Sequence, residues 1–168
     1  MIDWQNFTMP LSGNLMYRKL TAFVAMAIGL ASLAGCGDTQ ESKAANRSAT
    51  DKCFVDAIGG KGDATVYVKR GTVMVSGWAV DTQKQASPTE LRLRLTGAQG
   101  APHTFEKPAQ VDRPDIVKVF NNEKLLKTGF NFTVDLSGLD TGAYGIILEM
   151  PDGNSLLMCQ PKKIMVVQ

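Results

Sequence analysis

The sequence predicts a small all-β domain, an antiparallel sandwich of about seven short strands with one short helix. After residue 52, apolar residues recur mostly with a period of two, and helical periodicity is scarce. Turn-forming residues separate the short apolar runs at intervals of about eight to twelve residues. So few strands cannot close a large barrel, and two packed sheets of immunoglobulin-like kind are therefore expected.

The N-terminal part has the layout of an export signal. Arg18 and Lys19 are followed by an uncharged, mostly apolar run over residues 20–37. A basic segment before an apolar one is typical of a secretory signal peptide. The run contains polar and small residues, so cleavage is favoured over a transmembrane helix, which needs about 20 strongly apolar residues. We predict a signal peptide over residues 1–35, with translation starting at Met16.

The apolar run closes with Leu33-Ala34-Gly35-Cys36, which resembles the lipobox of bacterial lipoproteins. The resemblance implies that the Cys36 thiol receives a diacylglycerol, that a peptidase cuts before it, and that the new amino group is acylated. Two or three acyl chains anchor a protein firmly, at roughly 0.8 kcal/mol per buried methylene. An Asp directly after the cysteine implies inner-membrane retention in that class; here Gly37 follows, so an outer-membrane protein facing the periplasm is expected.

Residues 37–52 are polar and lack an apolar period, which predicts a flexible linker between the anchor and a folded domain over residues 53–168. Lipidation of Cys36 leaves Cys53 and Cys159 at the two ends of that domain. Disulfides persist in the cell envelope, so these two cysteines are predicted to pair. Neither lies in a Cys-x-x-Cys pattern, which argues against a redox-active thiol.

Strict alternation predicts two half-buried strands, one from Leu91 to Thr96 and one from Phe130 to Ser137. Further strands are expected over residues 64–69, 73–80, 142–150, 155–159 and 163–167. The segment 151–154, Pro-Asp-Gly-Asn, predicts a hairpin turn. The segment 113–120 is the exception: a proline can open a helical turn and three apolar residues fall on one face, which predicts a short helix crossing between the sheets.

Three short landmarks occur within the predicted strands and helix: Gly77-Trp78-Ala79-Val80-Asp81, Arg113-Pro114-Asp115-Ile116 and Gly129-Phe130. They are similar to those of a β-sandwich module found in bacterial envelope proteins and appended to some glycosyltransferases. The similarity supports the sandwich fold over about residues 65–150 and implies no particular activity.

Charge and residue content exclude several functions. Without Arg18, Lys19 and Asp3, the 18 basic and 16 acidic residues become 16 and 15, which gives no electrostatic case for nucleic acid. The single histidine, His103, is tied to no nucleophile by a motif, so no catalytic residue is predicted and the protein is not expected to be an enzyme. Metal-ligand spacing is absent, and neither a metal nor another cofactor is expected.

Five residues are candidates for binding. Arg113 and Asp115 flank a proline that fixes their geometry, although a salt bridge or helix cap is the simpler interpretation. Trp78, Tyr67 and Tyr144 are candidate platforms for stacking on sugar rings, although a tryptophan within a sandwich strand more often belongs to the core.

These observations favour a non-catalytic lipoprotein, tethered to a membrane, whose sandwich binds another envelope protein or glycan through loops or a sheet edge. Substitutions along the final strand are the expected way to disturb edge binding. A carbohydrate-binding module is the alternative, and a small envelope enzyme is a less favoured third hypothesis.

Overall fold

The computed structural model describes residues 46–168, which form two β-sheets with a short α-helix and a 3-10 helix. In chain order the strands are β1 (Asn46–Thr50), β2 (Cys53–Ile58), β3 (Thr65–Val68), β4 (Thr72–Ala79), β5 (Arg92–Gly97), β6 (His103–Glu106), β7 (Ala109–Val111), β8 (Gly129–Asp135), β9 (Gly142–Asp152), β10 (Ser155–Cys159) and β11 (Ile164–Val167). The helix α1 (Pro114–Phe120) and the 3-10 turn Glu123–Leu125 lie between β7 and β8.

The all-β sandwich is confirmed. Seven strands form what we call the large sheet, with β1-β10-β9-β11-β3 in order and β5 and β6 on the other side of β9. The small sheet has the order β2-β4-β8-β7. Alternate side chains of both sheets meet in one apolar core, in which Phe130, Phe132, Leu93, Ile146 and Leu148 are almost completely buried. The alternation seen in the sequence over residues 91–96 and 130–137 therefore distinguishes the core face of β5 and of β8.

The long strand β9 organises the large sheet. On one side it pairs with β5, and on the other it pairs first with β11 and then with β10. The chain leaves β10 at Cys159, makes a short irregular passage over residues 160–163, and continues along the same side of β9 as β11. The hairpin from β9 to β10 turns at Gly153, whose φ of 56° is easily adopted by a residue without a side chain. The predicted hairpin is confirmed.

Some predictions about the elements were wrong. The polar segment Asn46–Thr50, predicted as flexible linker, is an edge strand that pairs in parallel with β10. The pairing of β3 with β11 is also parallel, so the sandwich is not antiparallel throughout. The predicted helix is present, but it joins β7 to β8 within the small sheet and does not cross between the sheets.

The prediction that the final strand, β11, forms an edge open to a partner was wrong. β11 lies between β3 and β9 and pairs with both, so its backbone is occupied on both sides. The edges of the described sheets are β1, β3 and β6 in the large sheet and β2 and β7 in the small one.

Candidate functional site

The two cysteines of the folded domain form a disulfide, as predicted. Cys53 begins β2 in the small sheet and Cys159 ends β10 in the large sheet, with 6.2 Å between the Cα atoms. The bond therefore ties the two layers of the sandwich together, close to the point where β1 leads into β2. Cys36, the predicted lipidation site, lies outside the described residues.

The three sequence landmarks come together on the small sheet. β4 and β8 pair so that Gly77 lies opposite Phe130 and Trp78 opposite Gly129. A Cβ atom on Gly129 would lie 2.8 Å from the side chain of Arg113 and 2.6 Å from a backbone oxygen of β7. Glycine is needed there because the segment before α1 passes directly over β8. The landmarks thus describe close packing between strands and helix.

Arg113 joins two separate parts of the chain. Its Nε and Nη2 atoms donate to the Asp115 carboxylate at 2.9 and 2.7 Å, and its Nη1 atom donates to Oδ2 of Asp56 at 2.7 Å. Asp56 is the extra residue of a bulge in β2, which directs it away from the regular ladder. The hydrogen bonds and charge of Arg113 lower the pKa of Asp115 to about 2. This ion-pair geometry holds α1 against β2, which is the structural interpretation of the pair.

Trp78 lies on the outer side of the small sheet and is covered by α1. Its ring meets Phe120 edge to face, with 6.2 Å between the ring centroids. It also packs against a small apolar cluster of Val80, Ile116 and Leu125. The tryptophan is half-buried and is held between sheet and helix, so only part of its ring faces solvent.

The two candidate tyrosines lie in different environments. Tyr144 is buried in the core, its hydroxyl donates to the carbonyl oxygen of Asp140 at 2.9 Å, and the ring of His103 lies 6.4 Å away. Tyr67 is 55% exposed and projects from the outer side of the large sheet. Trp78 and Tyr67 are thus on opposite outer sides of the sandwich. The structure does not bring the three predicted stacking residues together.

A cleft that the sequence analysis did not predict opens at one side of the sandwich. The chain passes there from β6, at the edge of the large sheet, to β7, at the edge of the small sheet. We call it the edge cleft; it has a volume of about 350 Å³ and is lined by residues 88–91, 106–108, 110 and 127–130. Pro88 and Pro108, both half-buried, form an apolar floor over the buried Leu91 and Phe130, and exposed charged side chains surround it.

The charges of the edge cleft are of both signs. Arg92 donates from Nε and Nη2 to Oε1 of Glu90 at 2.9 and 2.6 Å, and its Nε lies 3.1 Å from Oε1 of Glu106. The hydrogen bond from Arg92 to Glu90 raises the pKa of Arg92. On the opposite rim, Lys127 is paired with Asp112. One arginine therefore holds two carboxylates at the mouth of the cleft.

Lys107 stands at the turn between β6 and β7, and its backbone is unusual. Its φ is 56°, although it is not glycine and precedes a proline, which favours extended backbone at the residue before it. Such conformations are often found at functional sites. No ion pair to Lys107 is found within residues 46–168, so its ammonium group is available to a ligand.

The edge cleft has no signature in the sequence because its three lining segments, around residues 88–91, 106–110 and 127–130, are far apart along the chain. The one local sign is the occurrence of charged residues close to Pro88 and next to Pro108.

Within residues 46–168, no helix has both the length and the apolar character needed to span a bilayer. In the same part of the chain, no three histidine, cysteine or acidic side chains are grouped so that they could hold a metal ion.

No protein-family model matches this chain, and a search of curated proteins finds no match either.

Proposed function

We propose that this protein is a membrane-anchored cell-envelope lipoprotein whose non-catalytic sandwich binds another envelope component in the edge cleft. The observation that carries the binding proposal is the cleft itself, an apolar floor surrounded by charged groups of both signs. Its volume is at the lower end of the range of ligand pockets, about 300–1,000 Å³. Fixed polar groups above an apolar floor are the arrangement that gives a ligand both affinity and orientation.

The cleft favours an extended peptide segment of a protein partner over a glycan. Within the described residues, β6 and β7 each pair with one strand only, so unpaired backbone groups border the cleft on both sides. An extended peptide can pair with such an edge while its side chains enter the pocket. The aromatic ring of the cleft, Phe130, is 1% exposed and offers no face to a sugar.

A photo-crosslinking amino acid tests the cleft in the intact envelope. Gln110 lines the cleft and is exposed, and Thr133, equally in the small sheet and exposed, lies away from it and is the matched control. We expect a specific partner to cross-link to position 110 and not to position 133. Lys107→Glu should abolish that cross-link because it reverses the unpaired charge at the rim. Cross-linking that is the same at both positions, or that is unaffected by Lys107→Glu, would refute the cleft as the binding site.

The membrane anchor is supported by the layout of the export signal, by the motif that ends at Cys36, and by the disulfide, since such bonds are typical of oxidising compartments. Cys36→Ser should block acylation, leave the protein precursor uncleaved before residue 36, and abolish incorporation of a labelled fatty acid. Mass spectrometry of the N-terminus, together with the label, measures these effects. Normal cleavage at the same bond with retention in the membrane fraction would contradict lipidation.

The alternative function, a carbohydrate-binding module, keeps one exposed residue in its favour. Tyr67 is largely exposed, unlike the other two predicted stacking residues. Titration with soluble cell-wall fragments distinguishes the two proposals: tyrosine emission that changes in the parent chain and not in Tyr67→Ser supports glycan binding.

A further inference from the structure

The outer side of the large sheet is unusually apolar. A sheet that faces water on one side normally alternates apolar and polar residues, but here strands β3, β9, β10 and β11 carry apolar side chains on both sides. Tyr67 lies directly opposite Val166, and Ile147 is the diagonal neighbour of both Ile164 and Met158. We call this surface the apolar face; it consists of Tyr67, Ile147, Leu156, Met158, Ile164 and Val166.

Within the apolar face, Tyr67 is 55% and Ile164 is 44% exposed, so neither is covered by the domain itself. A hollow of about 610 Å³ adjoins Ile164 where the chain passes from β10 to β11, and Lys162 stands at its edge. The other four residues of the apolar face are half-buried. A contiguous apolar patch at the surface of a domain is typical of a protein–protein or membrane contact.

Positive charge surrounds the apolar face. The bordering basic residues with no ion pair inside residues 46–168 are Arg47, Lys69, Arg70 and Lys162. The acidic residue on the face, Glu149, is neutralised by Arg94 at 2.8 Å. Asp63 and Asp140 precede β3 and β9 and offset only part of the positive charge. The apolar face is therefore complementary to a partner surface with an apolar interior and negatively charged groups around it.

The proposed anchor enters the domain at this same sheet. Ten peptide units separate Cys36 from Asn46, the first residue of β1, and such a segment spans at most about 36 Å. β1 is an edge strand of the large sheet, and its Arg47 adjoins Leu156 of the apolar face. A lipid on Cys36 would thus hold the apolar face within reach of the bilayer.

We propose that the apolar face docks on the surface of an anionic lipid bilayer, so that the sandwich lies with its large sheet against the membrane. Apolar side chains then enter the interface while the surrounding basic residues meet lipid phosphates. Strand β6, on the other side of β9 from β1 and β3, and strand β7, at the edge of the small sheet, remain open to the periplasm. This inference rests on the proposed anchor for its geometry, and it adds a second, non-covalent contact with the membrane.

Two tryptophan substitutions with equal starting exposure test the docking. Tyr67 on the apolar face and Met74 on the small sheet are both 55% exposed. The mature chain carrying Tyr67→Trp or Met74→Trp is purified from membranes and reconstituted into vesicles of phosphatidylethanolamine and phosphatidylglycerol, with and without brominated acyl chains. Subtracting the parent emission removes the contribution of Trp78. We expect bromine to remove most of the added emission of Tyr67→Trp and to leave that of Met74→Trp unchanged.

The outcomes separate docking from the anchor. If the protein fails to float with the vesicles and its N-terminus carries no lipid, the proposed anchor fails. If it floats and bromine quenches neither tryptophan, or quenches both equally, the docking proposal is refuted. A blue shift of Tyr67→Trp emission that follows protein concentration in detergent without lipid identifies a second copy of the chain as the occupant, which also refutes it. Reduced quenching in uncharged phosphatidylcholine vesicles, or with Lys69→Glu, supports the electrostatic part.

Discussion

Gly77 should tolerate no side chain, because β2 approaches β4 there more closely than a regular strand pair allows. A Cβ atom at this position would clash with the carbonyl oxygen of Phe54, and it would lie 2.8 Å from Cζ of Phe130 and 3.0 Å from Cα of Val55. Two of these three atoms belong to backbone, which cannot rotate away. Gly77→Ala must therefore separate β2 from β4.

The expected size follows from two opposing effects. Replacing glycine by alanine restricts the unfolded chain, and this stabilises the folded protein by about 0.4–1 kcal/mol where the native backbone accommodates the added methyl group. Overpacking a well-packed site costs about 1–3 kcal/mol. Because backbone is displaced at Gly77, the upper part of that range applies, and we expect a net loss of about 2 kcal/mol in the free energy of unfolding. For a domain of this size that lowers Tm by roughly 8 °C.

Gly145→Ala is the matched control, since Gly145 is also a strand glycine and a Cβ atom added to it would come no closer than 3.9 Å to its nearest neighbour, the carbonyl oxygen of Thr96. Urea unfolding of both variants with the disulfide intact, followed by circular dichroism, measures the difference. We expect Gly145→Ala to equal or slightly exceed the parent. Equal urea midpoints for the two variants would refute the close approach of β2 and β4.

Three further predictions concern stability. Replacing both Cys53 and Cys159 by Ala should lower the free energy of unfolding by up to about 4–5 kcal/mol, because the disulfide closes a long loop and so reduces the entropy of the unfolded chain. The two cysteines are 106 positions apart. As a control, a reducing agent should destabilise the parent protein and leave the double variant unchanged. The pKa of Asp115 is lowered from 3.8 to about 2, so the contribution of its ion pair to folding stability is complete above about pH 4 and is lost as the pH falls toward 2. In Asp115→Asn, the free energy of unfolding should therefore depend less on pH between 4 and 2. A pH dependence equal to that of the parent protein would contradict the ion pair. Lys163 is buried and donates to two backbone carbonyls at 2.7 and 3.2 Å, so Lys163→Met should destabilise by roughly 1–3 kcal/mol, whereas Lys162→Met, next to it and exposed, should leave Tm unchanged.

The residues that resemble an envelope module have a structural explanation in this protein. Gly77 and Gly129 permit close approach of neighbouring segments, Arg113 clamps α1 to β2, and Trp78 is covered by α1. Asp81 adds a turn, because its Oδ1 atom accepts hydrogen bonds from the backbone N–H groups of two following residues. The landmarks therefore define how this fold is packed, and the proposed binding surfaces lie elsewhere.

The strands that the sequence analysis missed lack the pattern on which it depended. β1, Asn46–Thr50, is a polar edge strand with no apolar period. β2 begins with alternation, but the bulge at Asp56 shifts its register and breaks the period. β6 contains one strongly apolar residue, Phe105, and β7 has only three residues, too few for alternation to be recognised.

The sequence by itself determined which side of β5 and of β8 is buried, where the β9–β10 hairpin turns, and that Cys53 and Cys159 pair. These properties depend on the period of two, on glycine in a turn, and on counting thiols. Only the tertiary structure decided which strands are neighbours, and so created the edge cleft and the apolar face. Strand pairing is a non-local choice made when distant segments bury a common core, and alternation records the buried side of a strand without recording its partner.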